Sequence, residues 1–259
     1  MIKVLSLFTG MGGMDIGFAH RIQVHKNSID PNFIDCEAEI EHFVYLKRLP
    51  FEIVFQNDIL NSAKKIAEWN NWAHNYVSKD IRSLLEENFE FPYADVICGG
   101  FPCQDFSHSG KRVGLNSQRG TLYQCFVEVV KRVKPKMFVA ENVNGLLTMK
   151  NEPIKQIIAD FSDAGYSVEY QLLKCEDYGI PQTRWRVIIM GTRKDIKNSL
   201  KDGWNIINYN KNKCNLSHYF KHLKEPNETI DPAQKVYSKA AKLDKGQGQK
   251  EICLNSFGP

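Results

Sequence analysis

The sequence lacks any long uninterrupted apolar stretch, although 42% of its 259 residues are hydrophobic. A helix that spans a bilayer needs about 20 consecutive apolar residues. We therefore predict a chain without membrane-spanning helices that has enough apolar side chains to build a core. Residues 1–8 also lack the basic start and the small-residue cleavage site of a secretory signal peptide, and they are typical of a first β-strand.

Metal-binding and disulfide patterns are missing as well. The chain has seven cysteines, an odd number, and none of them form a Cys-x-x-Cys pair. This spacing argues against a zinc site and against a disulfide framework. We predict reduced thiols, no bound metal and a cytoplasmic protein.

The charge of the chain is uneven along its length. From Thr192 onward there are 13 Lys and Arg against 7 Asp and Glu, whereas the preceding 191 residues hold 21 and 23. A near-neutral body with a basic tail suits an enzyme core joined to a segment that faces a polyanion. A solvated, Lys-rich surface explains the tail equally well.

Strand and helix patterns alternate over the first 191 residues, which predicts an α/β fold with a mostly parallel, doubly wound sheet. Residues 19–50 interrupt this alternation; they are polar and irregular, and we interpret them as an insertion. The predicted strands cover residues 1–8, 51–55, 94–98, 136–140, 166–173 and 186–191, with a short strand or turn at 77–81. The predicted helices cover residues 62–72, 121–133 and 153–164.

Cys103 lies in a loop that contains glycine and proline, shortly after the predicted strand at 94–98. Ligands of open α/β sheets bind outside the carboxyl ends of the strands. Pro102 stiffens the backbone before the thiol, and the preceding glycines allow a ligand to approach closely. Cys103 is therefore a candidate nucleophile, with a buried structural cysteine as the alternative. The Gly- and Ser-rich loop at 107–120 is long for a compact domain, which is typical of a functional segment.

Glu141 also follows apolar strand residues, so it shares the crevice of Cys103 if the two strands are neighbours. A thiolate beside a carboxylate is poorly suited to acyl transfer, which needs a histidine base. The pair suits attack on an electron-poor ring. For a pyrimidine, the thiolate adds to C6 while the acid protonates or hydrogen-bonds N3, and C5 becomes a carbon nucleophile. Arg184 and Arg186 alternate along a later strand and would stabilise charge on the base or on an adjacent phosphate.

A glycine-rich turn, residues 8–13, joins the first strand to a helix start. Such turns let the backbone approach a nucleotide or nucleoside, but the Gly-x-Gly-x-x-Gly spacing is absent, which makes a dinucleotide site a poorer fit. Asp58 ends the second strand, where Rossmann-like folds place the acceptor for ribose hydroxyls. An N-cap for the next helix is the alternative role of Asp58.

Four motifs stand in order along residues 3–191 and resemble those of the DNA (cytosine-5) methyltransferases. They are Phe8-Thr9-Gly10-Met11-Gly12-Gly13, Gly100-Phe101-Pro102-Cys103-Gln104, Glu141-Asn142-Val143 and Gln182-Thr183-Arg184-Trp185-Arg186. The resemblance implies a Rossmann-like, S-adenosylmethionine-dependent methyltransferase that acts on duplex DNA, as in bacterial restriction-modification systems. It also implies a cytoplasmic enzyme associated with the bacterial or phage nucleoid.

The resemblance further implies roles for individual residues. Cys103 is the nucleophile, Glu141 is the partner of cytosine N3, and Asn142 positions the catalytic loop, while Arg184 and Arg186 support the base and the thiol. The loop after the nucleophile would close over a flipped cytosine. S-adenosyl-L-methionine would contact Phe8, Thr9, Gly10, Gly12, Gly13, Asp58, Ile59, Asp80, Ile81 and Pro102. DNA would contact Gln104, Ser107, Lys111, Arg112, Arg119 and Gln182.

The C-terminal region departs from the family pattern. Residues 192–259 resemble the start of a target-recognition domain, whereas family members continue into further motifs that return to the donor site. We therefore divide the chain into a catalytic domain, residues 1–191, and a basic, partial target-recognition region, residues 192–259. On this interpretation the chain is the large half of a split methyltransferase or a truncated product. A second polypeptide would carry the rest, and the chain alone would bind DNA weakly and turn over slowly or not at all.

Three alternatives compete with this interpretation. An RNA cytosine methyltransferase would use the same thiol chemistry on the same fold. A non-catalytic DNA-binding subunit would need none of Cys103, Glu141 and Arg186 together. A dinucleotide-dependent oxidoreductase is suggested by the glycine turn alone, and the loop with Pro102 and Cys103 argues against it.

Overall fold

The computed structural model describes residues 1–19, 23–26, 29, 31–38, 43–102, 122–150, 152–178, 180 and 182–196. The strands in these ranges are β1 (Ile2–Leu7), β2 (Gln23–His25), β3 (Ile34–Glu37), β4 (Phe43–Leu46), β5 (Phe51–Asp58), β6 (Tyr76–Ser78), β7 (Val96–Gly99), β8 (Met137–Val143), β9 (Tyr166–Lys174) and β10 (Trp185–Arg193). The α-helices are α1 (Ile16–Ala19), α2 (Asn61–Trp69), α3 (Ile81–Glu86), α4 (Leu122–Val133) and α5 (Pro153–Asp163).

The larger sheet has the strand order β6-β5-β1-β7-β8-β10-β9. The strands from β6 to β8 run parallel, whereas β10 is antiparallel to both β8 and β9. Because parallel strands are joined by crossover connections, the carboxyl ends of β1, β5, β7 and β8 meet at one edge of the sheet. The mostly parallel architecture predicted from the sequence is confirmed.

Helices pack on both faces of this sheet. α4 buries Phe126 and Val130 at helical spacing, and they join Phe138 of β8 in the main core together with buried residues of α3 and α5. On the opposite face, Phe18 of α1 packs over a smaller cluster that includes Val4 of β1. The two clusters explain why the strands are apolar on both faces, as a doubly wound sheet requires.

The register of the parallel strands determines which residues lie side by side at the carboxyl edge of the sheet. Leu7 of β1 pairs with Gly99 of β7, which in turn pairs with Ala140 of β8. The predicted proximity of the strands that precede Cys103 and Glu141 is therefore confirmed. The next residues along these three strands are Phe8, Gly100 and Glu141.

The expectation that residues 19–50 are irregular is wrong. β2, β4 and β3 form a three-stranded antiparallel sheet in that order. Val44 at its centre is fully buried, and Lys47 donates from its backbone nitrogen to Phe33 O at 2.8 Å and from Nζ to Asn32 O at 2.9 Å. Strands this short have too few residues for a recognisable alternation, since their stability comes from pairing between segments that are distant in sequence.

Several predicted boundaries move by a few residues. α2 ends at Trp69, before Asn71 with its left-handed φ of +58°, although the prediction extended it to residue 72. The segment predicted as a strand or turn at 77–81 is β6 followed by α3. β10 continues to Arg193, past the proposed domain boundary at 191, and residues 197–259 lie outside the described residues. The division into two domains stays a prediction.

Candidate active site

The glycine-rich turn after β1 has an unusual backbone. Phe8, Gly10 and Gly12 have φ angles of +52°, +55° and +90°, in the left-handed region that disfavours side chains. A left-handed conformation costs a non-glycine residue about 1–2 kcal/mol, and such strain is found at functional sites. A Cβ atom added at Gly10 would meet no atom of the described residues within 4 Å, so these residues leave the outer side of the turn open.

The Thr9 side chain points into the protein and not toward the open side of the turn. Its hydroxyl lies 3.1 Å from the carbonyl oxygen and 2.9 Å from the hydroxyl of Ser6, and it donates to them. Thr9 is buried. The hydroxyl of Thr9 thus holds the turn to β1 from within the protein, so the backbone of Thr9 is the part available to a cofactor. The predicted cofactor contact of Thr9 stays a prediction.

Asp58 stands where β5 ends, and its carboxylate is shared between two loops. Oδ2 accepts a hydrogen bond from Gly10 N at 2.9 Å, and Oδ1 accepts one from Leu60 N at 2.9 Å. A carboxylate offers about four lone-pair sites, so each oxygen keeps capacity for a further donor. Ile59, the next residue, is 61% exposed. The expected position of Asp58 beside the glycine turn agrees with this geometry, and the carboxylate suits a vicinal diol such as that of a ribose.

Asp80 and Ile81 behave differently from each other. Asp80 caps α3 by accepting from Arg82 N at 2.9 Å, and the hydrogen bonds from the Arg82 guanidinium lower the pKa of Asp80. Asp80 thus remains an anion near the end of β6. Ile81 is only 3% exposed and packs in the main core. The first turn of α3 directs the Ile81 side chain inward, so the backbone of Ile81 is the part available to a cofactor. The predicted cofactor contact of Ile81 stays a prediction.

A buried row of polar side chains supports the glycine turn. Ser6 of β1 pairs with Gln56 of β5, which pairs with Tyr76 of β6, so the three side chains share one face of the sheet. Ser6 Oγ and Gln56 Nε2 each donate to the Asp15 carboxylate at 2.6 Å. Burial raises the pKa of Asp15 above its usual value. At the end of the row, Tyr76 Oη donates to Gly10 O at 2.7 Å.

These supporting residues are not among the site residues that the sequence predicts. Ser6 and Gln56 are polar positions within otherwise apolar strands, and this is the signal that could have revealed them. A buried polar side chain must find a hydrogen-bond partner. Tyr76 carries no such signal, since a tyrosine at a strand start is common and its partner lies 66 residues away.

Glu141 projects from β8 toward Gly100. A Cβ atom added at Gly100 would lie 3.1 Å from Glu141 Oε2, so the glycine leaves room for the carboxylate. At Gly99, the added atom would lie 2.2 Å from the backbone oxygen of Leu7, which makes glycine obligatory for the packing of β1 against β7. The loop that leads to Cys103 therefore passes directly over the acidic group.

Two arginines converge on Glu141, Arg186 from the start of β10 and Arg184 from the residue just before this strand. The prediction that both alternate along one strand is wrong for Arg184, although both side chains reach the same carboxylate. Arg186 Nε lies 2.5 Å from Glu141 Oε1, and Arg184 Nη2 lies 3.9 Å from the same oxygen. Arg186 Nε is buried, yet the pair is not aligned as a hydrogen bond, and this nitrogen has no hydrogen-bond partner among the described residues. The contact is an ion pair, in which each charge offsets part of the cost of removing the other from water.

Asn142 ties the loop that leads to the thiol to β8. Its side-chain nitrogen donates to the carbonyl oxygen of Phe101 at 3.0 Å, and its oxygen accepts from Val143 N at 2.9 Å. Both Asn142 and Phe101 are buried, whereas Pro102 is exposed. The backbone is thus held two residues before Cys103.

One predicted DNA contact, Gln182, falls within the described residues. Gln182 is exposed before β10. The nucleophile and most of the predicted DNA contacts lie outside the described residues, namely Cys103, Gln104, Ser107, Lys111, Arg112 and Arg119.

The described part of the chain carries neither a metal-site signature nor a membrane-span signature. No group of three or more His, Cys, Asp or Glu side chains among the described residues could hold a metal ion. In those residues, too, no helix has the length and apolar character needed to cross a membrane.

Solved structures of known proteins share this fold. A putative DNA modification methyltransferase encoded within an E. coli prophage has a TM-score of 0.59 at 21% identity, over 87% of this chain and 56% of that one. The S. pombe Dnmt2 methyltransferase has a TM-score of 0.57 at 17% identity, over 93% of this chain and 66% of that one. The Rossmann-like methyltransferase fold implied by the motifs is confirmed.

Sequence relatives give a closer match. Type II methyltransferase M.BspRI of Lysinibacillus sphaericus is 41% identical over 75% of this chain and 45% of its own length. M.FnuDI of Fusobacterium nucleatum is 38% identical over 75% of this chain and 48% of its own length. The chain spans about half the length of the curated relatives it matches. The family model of C-5 cytosine-specific DNA methylases matches residues 2–255, and the chain therefore belongs to this family.

Proposed function

We propose that this chain transfers a methyl group from S-adenosylmethionine to C5 of a cytosine in duplex DNA, through a covalent adduct of Cys103. The observation that carries the proposal is the position of Glu141. Its carboxylate lies at the carboxyl edge of the sheet, against Gly100 and within 2.5 Å of Arg186 Nε. Relatives named type II methyltransferases support a role as the modification enzyme of a restriction-modification system.

The described residues fit the donor at the glycine turn. Gly10 presents an open surface, and Asp58 keeps lone pairs for the two ribose hydroxyls. Phe8 and Ile59 offer apolar contacts for the adenine, and Asp80 is an anionic acceptor for its amino group. When bound, S-adenosylmethionine supplies an electrophilic methyl group.

Cys103 and Glu141 divide the work on the base. The Cys103 thiolate forms a bond to C6 of the cytosine, and Glu141, as the carboxylic acid, protonates or hydrogen-bonds N3, which limits the negative charge that develops on the ring. C5 is then an enamine-like carbon that attacks the methyl group. Loss of the C5 proton to solvent, return of the N3 proton to Glu141 and departure of the thiolate restore the aromatic ring and free Cys103.

The neighbouring residues hold these two groups in place. Arg186 and Arg184 lie on the Glu141 carboxylate and would stabilise negative charge on the base carbonyl nearby. Asn142 fixes the carbonyl of Phe101, and with it the backbone that leads to the thiol. Correct positioning of reacting groups is worth several orders of magnitude in rate.

The substrate must bring its base out of the helix. C6 of a stacked cytosine is inaccessible to a side chain, so the base is extruded toward the carboxyl edge of the sheet, where Glu141 follows Ala140 of β8. The basic region from Thr192 onward would contribute phosphate contacts, whose salt dependence is measurable. An enzyme of this kind works in the cytoplasm, at the nucleoid.

Transfer of a labelled methyl group tests the proposal. The full chain is incubated with S-adenosylmethionine and either a library of duplex DNA sites or total tRNA, and the modified nucleosides are identified by mass spectrometry. We expect 5-methyl-deoxycytidine from DNA and its loss with Glu141→Gln. Methylation of tRNA alone would assign the chemistry to RNA, and no transfer to either acceptor would contradict the proposal for the chain by itself.

A further inference from the structure

We propose that Tyr76 is a positioning residue of the donor site, which fixes the conformation of Gly10 and thereby the direction of the Asp58 carboxylate. The inference rests on the proposed binding of S-adenosylmethionine at the glycine turn. It concerns a residue outside the recognised motifs, on the strand β6 at the far side of β5.

Gly10 is held from both sides by side chains. Its N–H donates to Asp58 Oδ2 at 2.9 Å, and its carbonyl oxygen accepts from Tyr76 Oη at 2.7 Å. These groups belong to the two peptide planes that flank the Gly10 Cα atom, so together they determine its φ and ψ. Glycine has no side chain to restrict these angles, and Gly10 adopts φ +55°.

Tyr76 is itself well anchored for this task. Its ring is buried, and it pairs in register with Gln56, which is held by Asp15. Burial and the nearby carboxylates of Asp58 and Asp15 raise the pKa of Tyr76 above its usual value. The hydroxyl therefore keeps its proton at any pH where the protein works, and it donates permanently to Gly10.

Loss of the Tyr76 hydrogen bond would affect the donor site through the carboxylate of Asp58, which is shared by two backbone nitrogens. Asp58 Oδ2 accepts from Gly10 N, while Oδ1 accepts from Leu60 N. If the Gly10 carbonyl loses its donor, the turn can rotate, and the carboxylate loses one of the two bonds that aim it. A site that must be ordered at the moment of binding has a lower affinity than a pre-organised one.

The experiment compares Tyr76→Phe with a matched control, Tyr166→Phe. Tyr166 is also buried and donates to a backbone carbonyl, that of Pro135, at 2.7 Å, but it lies at the start of β9, away from the turn. Each substitution removes one neutral hydrogen bond of the same kind. Similar decreases in thermal stability are therefore expected for the two variants.

Affinity for S-adenosylhomocysteine is measured by calorimetry on the full chain, well below the melting temperatures of the variants. We expect Tyr76→Phe to raise Kd about 3- to 10-fold, the equivalent of one hydrogen bond, and Tyr166→Phe to leave Kd unchanged. Without ligand, hydrogen exchange at the Gly10 amide should become faster in Tyr76→Phe only.

The possible outcomes distinguish a failure of this inference from a failure of the proposed function. Wild-type Kd in Tyr76→Phe, or an equal loss of affinity in both variants, would overturn the inference and leave the proposed function intact. A wild-type chain that binds neither S-adenosylmethionine nor its product would overturn the proposed function, and this inference with it.

Discussion

Arg186 Nε lies 2.5 Å from Glu141 Oε1, whereas Arg184 Nη2 lies 3.9 Å from the same oxygen. The two arginines also differ in exposure, at 22% for the side chain of Arg186 and 49% for that of Arg184. A charge that is shielded from water interacts more strongly with its neighbour than an exposed one does. The nearer and more buried arginine should therefore contribute more to the chemistry at Glu141.

We predict that Arg186→Met lowers the rate of methyl transfer at least about tenfold more than Arg184→Met does, since electrostatic groups at reacting centres are commonly worth 10²–10³ in rate. Neither variant should change the affinity for S-adenosylhomocysteine, because both arginines lie on the acidic group and not on the glycine turn. Single-turnover kinetics with duplex DNA, together with calorimetry of the product, provide the comparison. Equal rates in the two variants would contradict the assigned geometry.

The two glycines before Phe101 allow a second test. Gly100→Ala would place a Cβ atom 3.1 Å from Glu141 Oε2, at the end of a flexible side chain. We expect this variant to fold and to lose about tenfold or more in rate, because the carboxylate must shift. Circular dichroism and methyl transfer measure the two effects.

Gly99→Ala is the contrasting variant. Its Cβ atom would lie 2.2 Å from the backbone oxygen of Leu7, which cannot move without separating β1 from β7. We expect this protein to be strongly destabilised or insoluble. If Gly100→Ala retained the full wild-type rate, the close approach of the loop to Glu141 would have no catalytic meaning.

The raised pKa of Asp15 predicts how the free energy of unfolding depends on pH. Burial raises its pKa in the folded protein above the unfolded value of about 3.9, so the folded state binds more protons than the unfolded state above that pH. The free energy of unfolding of the wild type therefore falls as pH rises through this window. Asp15→Asn does not titrate, and its stability relative to wild type should improve steadily from pH 4 upward.

Asp95 is the control with the opposite sign. Hydrogen bonds from Lys136 and from Lys3 N lower the pKa of Asp95 to about 2. The contribution of Asp95 to the free energy of unfolding is present above the unfolded pKa and is lost as pH falls toward the folded pKa. The stability lost in Asp95→Asn relative to wild type should therefore become smaller in acid. Urea unfolding of both variants between pH 2 and 7 measures these trends, because the Asp95 contribution is lost below about pH 4. If the unfolding free energy of both variants changed with pH in the same way, the buried carboxylate of Asp15 would not be the cause of the predicted trend.

The parts of the fold that sequence reasoning predicted are those with a local signature. Apolar strands that end near Asp58, Gly99 and Glu141 can be identified from composition, and parallel pairing brings their ends together. The convergence of Arg184 and Arg186 on one carboxylate was predicted only as a common face, since it depends on β10 lying antiparallel beside β8.

What could not be predicted depends on strand order and side-chain direction. The row from Ser6 through Gln56 to Tyr76 exists because β1, β5 and β6 are neighbours, which no short-range pattern reveals. Thr9 and Ile81 occupy motif positions, yet the local backbone directs both side chains inward. A motif gives the identity of a residue, whereas its contacts follow from the packing around it.

The central claim is that Cys103 forms a covalent bond to cytosine, and trapping that bond tests it most directly. The full chain is incubated with S-adenosylmethionine and a duplex library that carries 5-fluorocytosine, in which fluorine at C5 blocks the final elimination. We expect a protein–DNA adduct that survives denaturing electrophoresis with wild type and no adduct with Cys103→Ala. An adduct that persists in Cys103→Ala, or none with wild type under conditions where the donor is bound, would contradict the account.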